Sequence, residues 1–175
     1  SVAGGVQATI NGEVLEFDAA ILSVGVSGRV QGLGLEALGV AMQRGFIVVD
    51  DRQQTSIPGI YAIGDVAGAP CLAHKATHEA MIAAESIAGR AVQGLQRNRI
   101  PGCTYSFPQI ASVGLREQDA GDRALRIGRF PLYANGKAVV SGHTEGMIKT
   151  IFDAETGALL GAHLIGDSVT ELIQG

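Results

Sequence analysis

Asp65 stands in the stretch IYAIGDVAGAPCLAHKATHEA, residues 60–80, where an apolar run meets a turn-rich loop and then a helix pattern that opens on His74 and Lys75. A carboxylate at the carboxyl end of a buried strand lies where open α/β sheets bind ligands, and it can accept hydrogen bonds from sugar or polyol hydroxyls. Gly64 and Gly68 on either side let a ligand come close to the backbone. The peptide groups of Cys71, Leu72, Ala73 and His74 fall at the amino end of the following helix. Free N–H groups and the positive dipole end there stabilise an electron-rich ligand atom. The competing reading is that Asp65 only caps a turn and His74 only begins a helix. Residue types alone leave both open.

Other groups offer less. Cys71 and Cys103 form no C-x-x-C or metal-ligand spacing, and two cysteines make no disulfide framework, so packing thiols in a reducing compartment are expected. His74 and His78 share a helix face at i and i+4, but no H-E-x-x-H surrounds them. His143 and His163 have no carboxylate or cysteine at ligand spacing, and hydrogen-bonded structural roles are expected for both. The segment VGVSGRVQGLG, residues 24–34, fits neither G-x-G-x-x-G opening a long helix nor a Walker A pattern, and reads as a loop. No Ser-His-Asp order or nucleophile elbow is present. The residues thus predict a ligand ledge, no catalytic group and no metal site.

The elements that must carry this ledge can be read from the pattern. VQATI, Asn11-Gly12 and EVLEF predict a hairpin with a type I′ turn. AAILSVG, residues 19–25, and IYAIG are continuous apolar runs suited to strands buried on both faces of a parallel sheet, and GFIVVD to a shorter strand. LGLEALGV predicts one or two helical turns closed by Gly39. From His74 to Ala88, Ala76, Ala80, Ala83, Ala84 and Ile87 recur at helical spacing, with Gly89 as the C-terminal stop. LQRNRIPG then marks a boundary. Beyond it TYSF, QIASVGL, ALRIGRFPL, GMIKTIFD and ALLGAHLIG are candidate strands, REQDAGDR is the one short helix between them, and Thr156-Gly157 turns the last hairpin. Asp167 or Ser168 is the candidate N-cap of a final helix.

The bulk numbers are compatible with this. The chain has 175 residues, 46% hydrophobic and 17% charged, enough to build a core, and 25 glycines favour a turn-rich fold over a helical bundle. A net charge of −4 with no basic run argues against a nucleic-acid partner. No apolar stretch nears the roughly 18 residues needed to cross a bilayer, and the start lacks a signal-peptide pattern, so no membrane association is expected.

These motifs also carry a resemblance. TSIPGIYAIGDVAGAPCLAHKATHEA at 55–80 resembles the second FAD motif of the pyridine nucleotide-disulfide oxidoreductases, and IPGCTYSFPQIASVGLREQ at 100–118 the start of their dimerisation domain. HTEGMIKTIFDAETGALLGAHLIGDSVTELI at 143–173 is similar to that domain's central hairpin and following helix, and GLGLEALGV with GFIVVDDRQQTS to the connection from the NAD domain. LAHKA, residues 72–76, points to the branch that oxidises dihydrolipoamide. The resemblance implies a partial α/β FAD/NAD-binding segment followed by an α+β dimerisation domain with a mostly antiparallel sheet. Its divisions would be 1–50, tail of the NAD-binding domain; 51–98, FAD-binding segment; and 99–175, dimerisation domain, incomplete at its end. It implies that Asp65, beside Gly64, holds a ribityl hydroxyl of FAD, that Cys71, Leu72, Ala73 and His74 set backbone groups against the isoalloxazine ring, and that Gly25 lies near NAD. The sequence departs from the family there, with VGVSGRVQ where VGR-x-PN is common.

The implied parent is a cytoplasmic, homodimeric NAD-dependent flavoenzyme that oxidises dihydrolipoamide, carried on lipoyl domains of a 2-oxoacid dehydrogenase complex, through a redox-active disulfide and FAD. The redox cysteine pair and the His-Glu dyad of that family lie outside these residues, so the chain alone is expected to be inactive. Alternatives are a non-catalytic dimerisation module, or a piece of a mercuric reductase-like or transhydrogenase-like relative.

Overall fold

Asn11 and Gly12 take φ of 53° and 86°, and the chain reverses there in the turn expected for this pair. Strand β1 (Val6–Ile10) lies antiparallel to β2 (Glu13–Phe17), with Val6 opposite Phe17 and Ile10 opposite Glu13. This is a computed structural model, and it describes residues 4–174. The chain divides into two compact units, one ending at Val92 and the other beginning at Gln93.

In the first unit, helix α1 (Leu35–Leu38) is closed by Gly39 in the left-handed region at φ 70°, where the Gly39 amide reaches the carbonyls of Glu36 and Leu35. Short strands β3 (Met42–Gln43) and β4 (Phe46–Ile47) pair antiparallel. Val30, Leu35, Val40, Ile47 and Ala62 form the core, with Val49, Ile57 and Val66 packed against it. The core joins residues on both sides of position 50. Gly28 makes this packing possible, because a Cβ there would lie 2.7 Å from the Gly45 carbonyl oxygen and 3.4 Å from Val66 Cα.

Two expected strands do not form. The 19–25 run joins no ladder, and its Ile21, Leu22 and Val24 are 95%, 84% and 84% exposed. Of IYAIG, Tyr61 makes one antiparallel bridge to Gln54, and GFIVVD contributes only its first pair of residues after Gly45 to a strand. A strand of a parallel sheet takes its hydrogen bonds from neighbours on both sides, and no described residue supplies those neighbours. The apolar pattern is present; the ladder that would bury it is not.

The second unit holds a five-stranded antiparallel sheet in the order β5-β6-β9-β8-β7, formed by β5 (Gly102–Thr104), β6 (Gln109–Gly114), β7 (Leu125–Pro131), β8 (Met147–Asp153) and β9 (Leu159–Gly166). Ala111, Leu164 and Ile148 stand opposite one another across β6, β9 and β8. That row belongs to the face that meets Val169 and Ile173. Helix α4 (Val169–Leu172) follows Ser168, which occupies the N-cap position but makes no side-chain cap. Of TYSF only Thr104 is in a strand, and REQDAGDR contributes a single 3-10 turn, Glu117–Asp119. Helix α3 (Gly136–Ser141) was not expected, although its signals are present: Asn135 Oδ1 accepts the Ala138 amide at 3.1 Å, and Gly142 ends the helix at φ 77°.

The β8–β9 hairpin turns at Thr156-Gly157 as expected, on an Asx turn. Asp153 Oδ1 accepts the amides of Thr156 at 2.8 Å and Glu155 at 3.1 Å. The bonds from Thr156 hold the Asp153 carboxyl below its ordinary value, with the Glu155 amide and Arg123 adding to them. A depressed native value gives stability that is present above the unfolded value and is lost as pH falls through the folded one. Asp153→Asn is therefore expected to be less stable than wild type at neutral pH, the gap closing as pH drops below the ordinary value of 3.8. Urea midpoints of the two proteins measured down the pH scale check this.

Candidate functional site

The ledge is built from the end of the 60–64 run, a 3-10 turn and helix α2 (Ala73–Ile87). Gly64 opens the turn Gly64–Ala67 at φ 74°, and Gly68 closes it at φ 101°, its amide bonded to the Asp65 carbonyl at 3.2 Å. Both angles suit glycine because a side chain there would crowd the backbone. Asp65 is exposed on this turn, and its carboxylate makes no hydrogen bond or ion pair among the described residues.

Helix α2 begins after Leu72, which adopts an extended conformation and offers no side chain to cap the first-turn amides. Its other end closes as expected: Gly89 stands at φ 72° and donates to Ser86 at 3.0 Å, and Arg90 donates to Glu85 at 3.0 Å, the paired bonds of a Schellman cap. Cys71, Leu72 and His74 are half-buried and Ala73 is exposed, so the predicted residues from 64 to 74 come together on the end of the 60–64 run, one turn and one helix start. Gly25 does not join them. It lies at φ 107° on the exposed 19–25 stretch, and no hydrogen bond links it to the ledge among the described residues.

The sequence reading missed two residues beneath the ledge. Lys75 and Glu79 are both completely buried. Lys75 Nζ donates to the carbonyls of Gly64 at 3.0 Å and Gly68 at 2.8 Å, and lies 3.1 Å from Glu79 Oε1; Glu79 Oε2 accepts the Gly64 amide at 2.7 Å. Glu79 Oε1 has no hydrogen bond of good geometry, so its charge is balanced by the ion pair. The buried stripe of α2 is Lys75, Glu79 and Ala83, whereas Ala84 and Ile87 of the expected apolar stripe are exposed. The available signal was K-x-x-x-E at i,i+4, beside two glycines whose carbonyls a buried ammonium can bind.

The two histidines of the second unit take structural partners. His163 Nε2 lies 2.9 Å from the Leu115 carbonyl, and His143 Nδ1 lies 3.2 Å from Asp167. The His143 contact holds the Asp167 carboxyl below its ordinary value. No helix among the described residues is long and apolar enough to cross a membrane.

Comparison with known proteins defines the class. Residues 3–80 match the family model for pyridine nucleotide-disulphide oxidoreductases, and residues 100–175 match the model for that family's dimerisation domain. The chain belongs to the pyridine nucleotide-disulphide oxidoreductases. Within them it is similar to dihydrolipoyl dehydrogenases. It is 54% identical over 162 residues to that of Zymomonas mobilis, covering 91% of this chain and 35% of the relative. With that of Rhizobium etli the identity is 53% over 172 residues, or 95% of this chain and 36% of the relative. The crystal structure of LpdA from Mycobacterium tuberculosis superposes with a TM-score of 0.90 at 31% identity, over 99% of this chain and 39% of that one. A flavoprotein disulfide reductase, RclA from Escherichia coli, superposes at 0.89 with 26% identity, over 99% of this chain and 41% of its own. The chain thus spans about a third of the length of the curated relatives.

Proposed function

We propose that this chain is part of a cytoplasmic, homodimeric dihydrolipoyl dehydrogenase, in which Gly64, Asp65 and the 71–74 backbone hold FAD and Gly25 lies beside NAD. Residues 1–50, 51–98 and 99–175 are assigned to the NAD-domain tail, the FAD segment and the dimerisation domain. The observation that carries the reading is the partnerless carboxylate of Asp65, fixed on a glycine-bounded turn beside an uncapped helix start. That donor and acceptor set fits a flavin: Asp65 accepts from a ribityl hydroxyl, and the amides at the start of α2 face the electron-rich edge of the ring. FAD, when bound, relays electron pairs between a dithiol and NAD. The residues of this chain bind it, orient it and favour negative charge on its ring; the dihydrolipoyl substrate in the names of its relatives supports a lipoyl group as the electron donor, carried in this proposal on lipoyl domains of a 2-oxoacid dehydrogenase complex.

The test is NAD reduction by dihydrolipoamide. The protein that carries these residues is expected to catalyse it, and the 175 residues alone, whose two cysteines form no redox pair, are expected not to. NADH formation by the 175 residues alone, or a carrier protein that reduces mercuric ion and leaves dihydrolipoamide untouched, contradicts the assignment. A second reading, a dimerisation module without redox function, has its support in the exposed apolar side chains Phe130, Tyr133, Val139 and Val140 of the second unit. It predicts a dimer that never takes up flavin.

A further inference from the structure

We propose that Lys75 and Glu79 act as positioning residues for the flavin, one buried unit that sets the backbone of the 64–68 turn and so the place of Asp65. The inference rests on the flavin reading above and adds to it two residues that need not touch the ligand.

The two glycine ends of the turn are hard to fix by side-chain packing. Val66 packs against the core and Ala67 is buried, but the turn's ends are Gly64 and Gly68, which have no side chains and the widest backbone freedom of any residue, and the Asp65 carboxylate has no partner among the described residues. At these two glycines only peptide groups can be gripped, and the buried pair grips three of them: the Gly64 amide, the Gly64 carbonyl and the Gly68 carbonyl. Both flexible residues are thus tied to α2, the helix whose first turn forms the other half of the ledge.

Global stability alone does not account for the pair. Two charges lose their hydration on burial, and apolar side chains of similar volume are often as stabilising or more so. Alanines at 76, 80 and 83 surround the pair on the same helix, so apolar packing was open to this surface. What apolar residues cannot supply is a hold on the peptide groups of the two glycines.

The experiment uses the protein that carries these residues, with apoprotein reconstituted with FAD. Lys75→Met/Glu79→Leu removes both charges together, so no unpaired ion is left. Its melting temperature is expected to stay well above that of Glu79→Leu alone, while the FAD dissociation constant rises about tenfold or more. Return of FAD affinity to the wild-type value alongside stability would overturn the proposal, because a merely structural pair predicts that recovery. If the double variant does not fold, amide hydrogen exchange of the wild-type apoprotein decides. The Gly64 amide is expected to be protected like those inside α2, and exchange as fast as in an open loop overturns the proposal. Asp65→Ala, measured in parallel, separates the two ideas: unchanged FAD affinity there removes the flavin reading, whereas Gly64 protection reports on the clamp without any flavin.

Discussion

Glu79→Leu is expected to lower the stability of the first unit by about 3–5 kcal/mol, the usual cost of leaving one partner of a buried ion pair unmatched. Lys75 would keep its two carbonyl contacts at 3.0 and 2.8 Å, but carbonyl dipoles do not neutralise a full charge. The amide of half-buried Gly64, bonded to Glu79 at 2.7 Å, would also lose its acceptor, which adds to the loss. Adding Lys75→Met to this variant should recover most of the loss. The two effects are therefore strongly non-additive, as expected of residues in one network. Chemical denaturation of the four proteins in this cycle measures the coupling directly. Additive losses would show that the two side chains act separately.

Gly114→Ala is the comparable expectation for the second unit, about 4 kcal/mol or enough to prevent its folding. Gly114 pairs with Gly161 across β6 and β9, so neither strand has a Cβ at that level. A Cβ on Gly114 would collide with the Leu160 carbonyl oxygen and lie 2.9 Å from Gly161 Cα. Its φ of 79° would also place alanine in the left-handed region. Both causes act at one site, and the obstacle is backbone that also carries the 2.8 Å bond from the Leu115 amide to Leu160. Near-UV circular dichroism through a thermal scan is the readout, with alanine at Gly157 as a control. Gly157 has φ 73° but open space around a Cβ, so only the conformational part of the penalty remains there.

Legibility in the sequence followed the range of the interactions. Elements fixed by neighbours along the chain were readable: the Asn11-Gly12 hairpin, the Gly39 and Gly89 helix stops, and the turn at Thr156-Gly157. Local chemistry dictates these, whatever the surroundings. The antiparallel strands of the second unit were also readable, each from its own apolar run and two of the pairs from short connections, β5 to β6 and β8 to β9, whereas the pairing of β6 with the distant β9 was not. The 19–25 run failed for the opposite reason: a strand of a parallel sheet needs partners far along the chain, and the described residues offer it none. Helix α3 was missed although Asn135 and Gly142 bracket it, since six residues give too short a pattern to stand out from turns. At the site, Asp65 and the helix start were visible as the end of an apolar run, a glycine turn and a helix pattern. Lys75 and Glu79 were not, because a Lys-Glu pair at i,i+4 ordinarily lies in solvent. Only the fold shows that the glycine carbonyls stand where the ammonium needs partners.

In the proposed function Asp65 holds a flavin. The measurement that bears on it most directly is FAD affinity of the Asp65→Ala and Asp65→Asn forms of the protein that carries these residues, by equilibrium titration of the apoprotein and with folding checked by thermal melting. A charge-assisted hydrogen bond from a ribityl hydroxyl predicts that Asp65→Ala weakens FAD binding by about ten- to a hundredfold and Asp65→Asn by less, with unchanged melting of the apoprotein. Wild-type FAD affinity in Asp65→Ala would contradict the account.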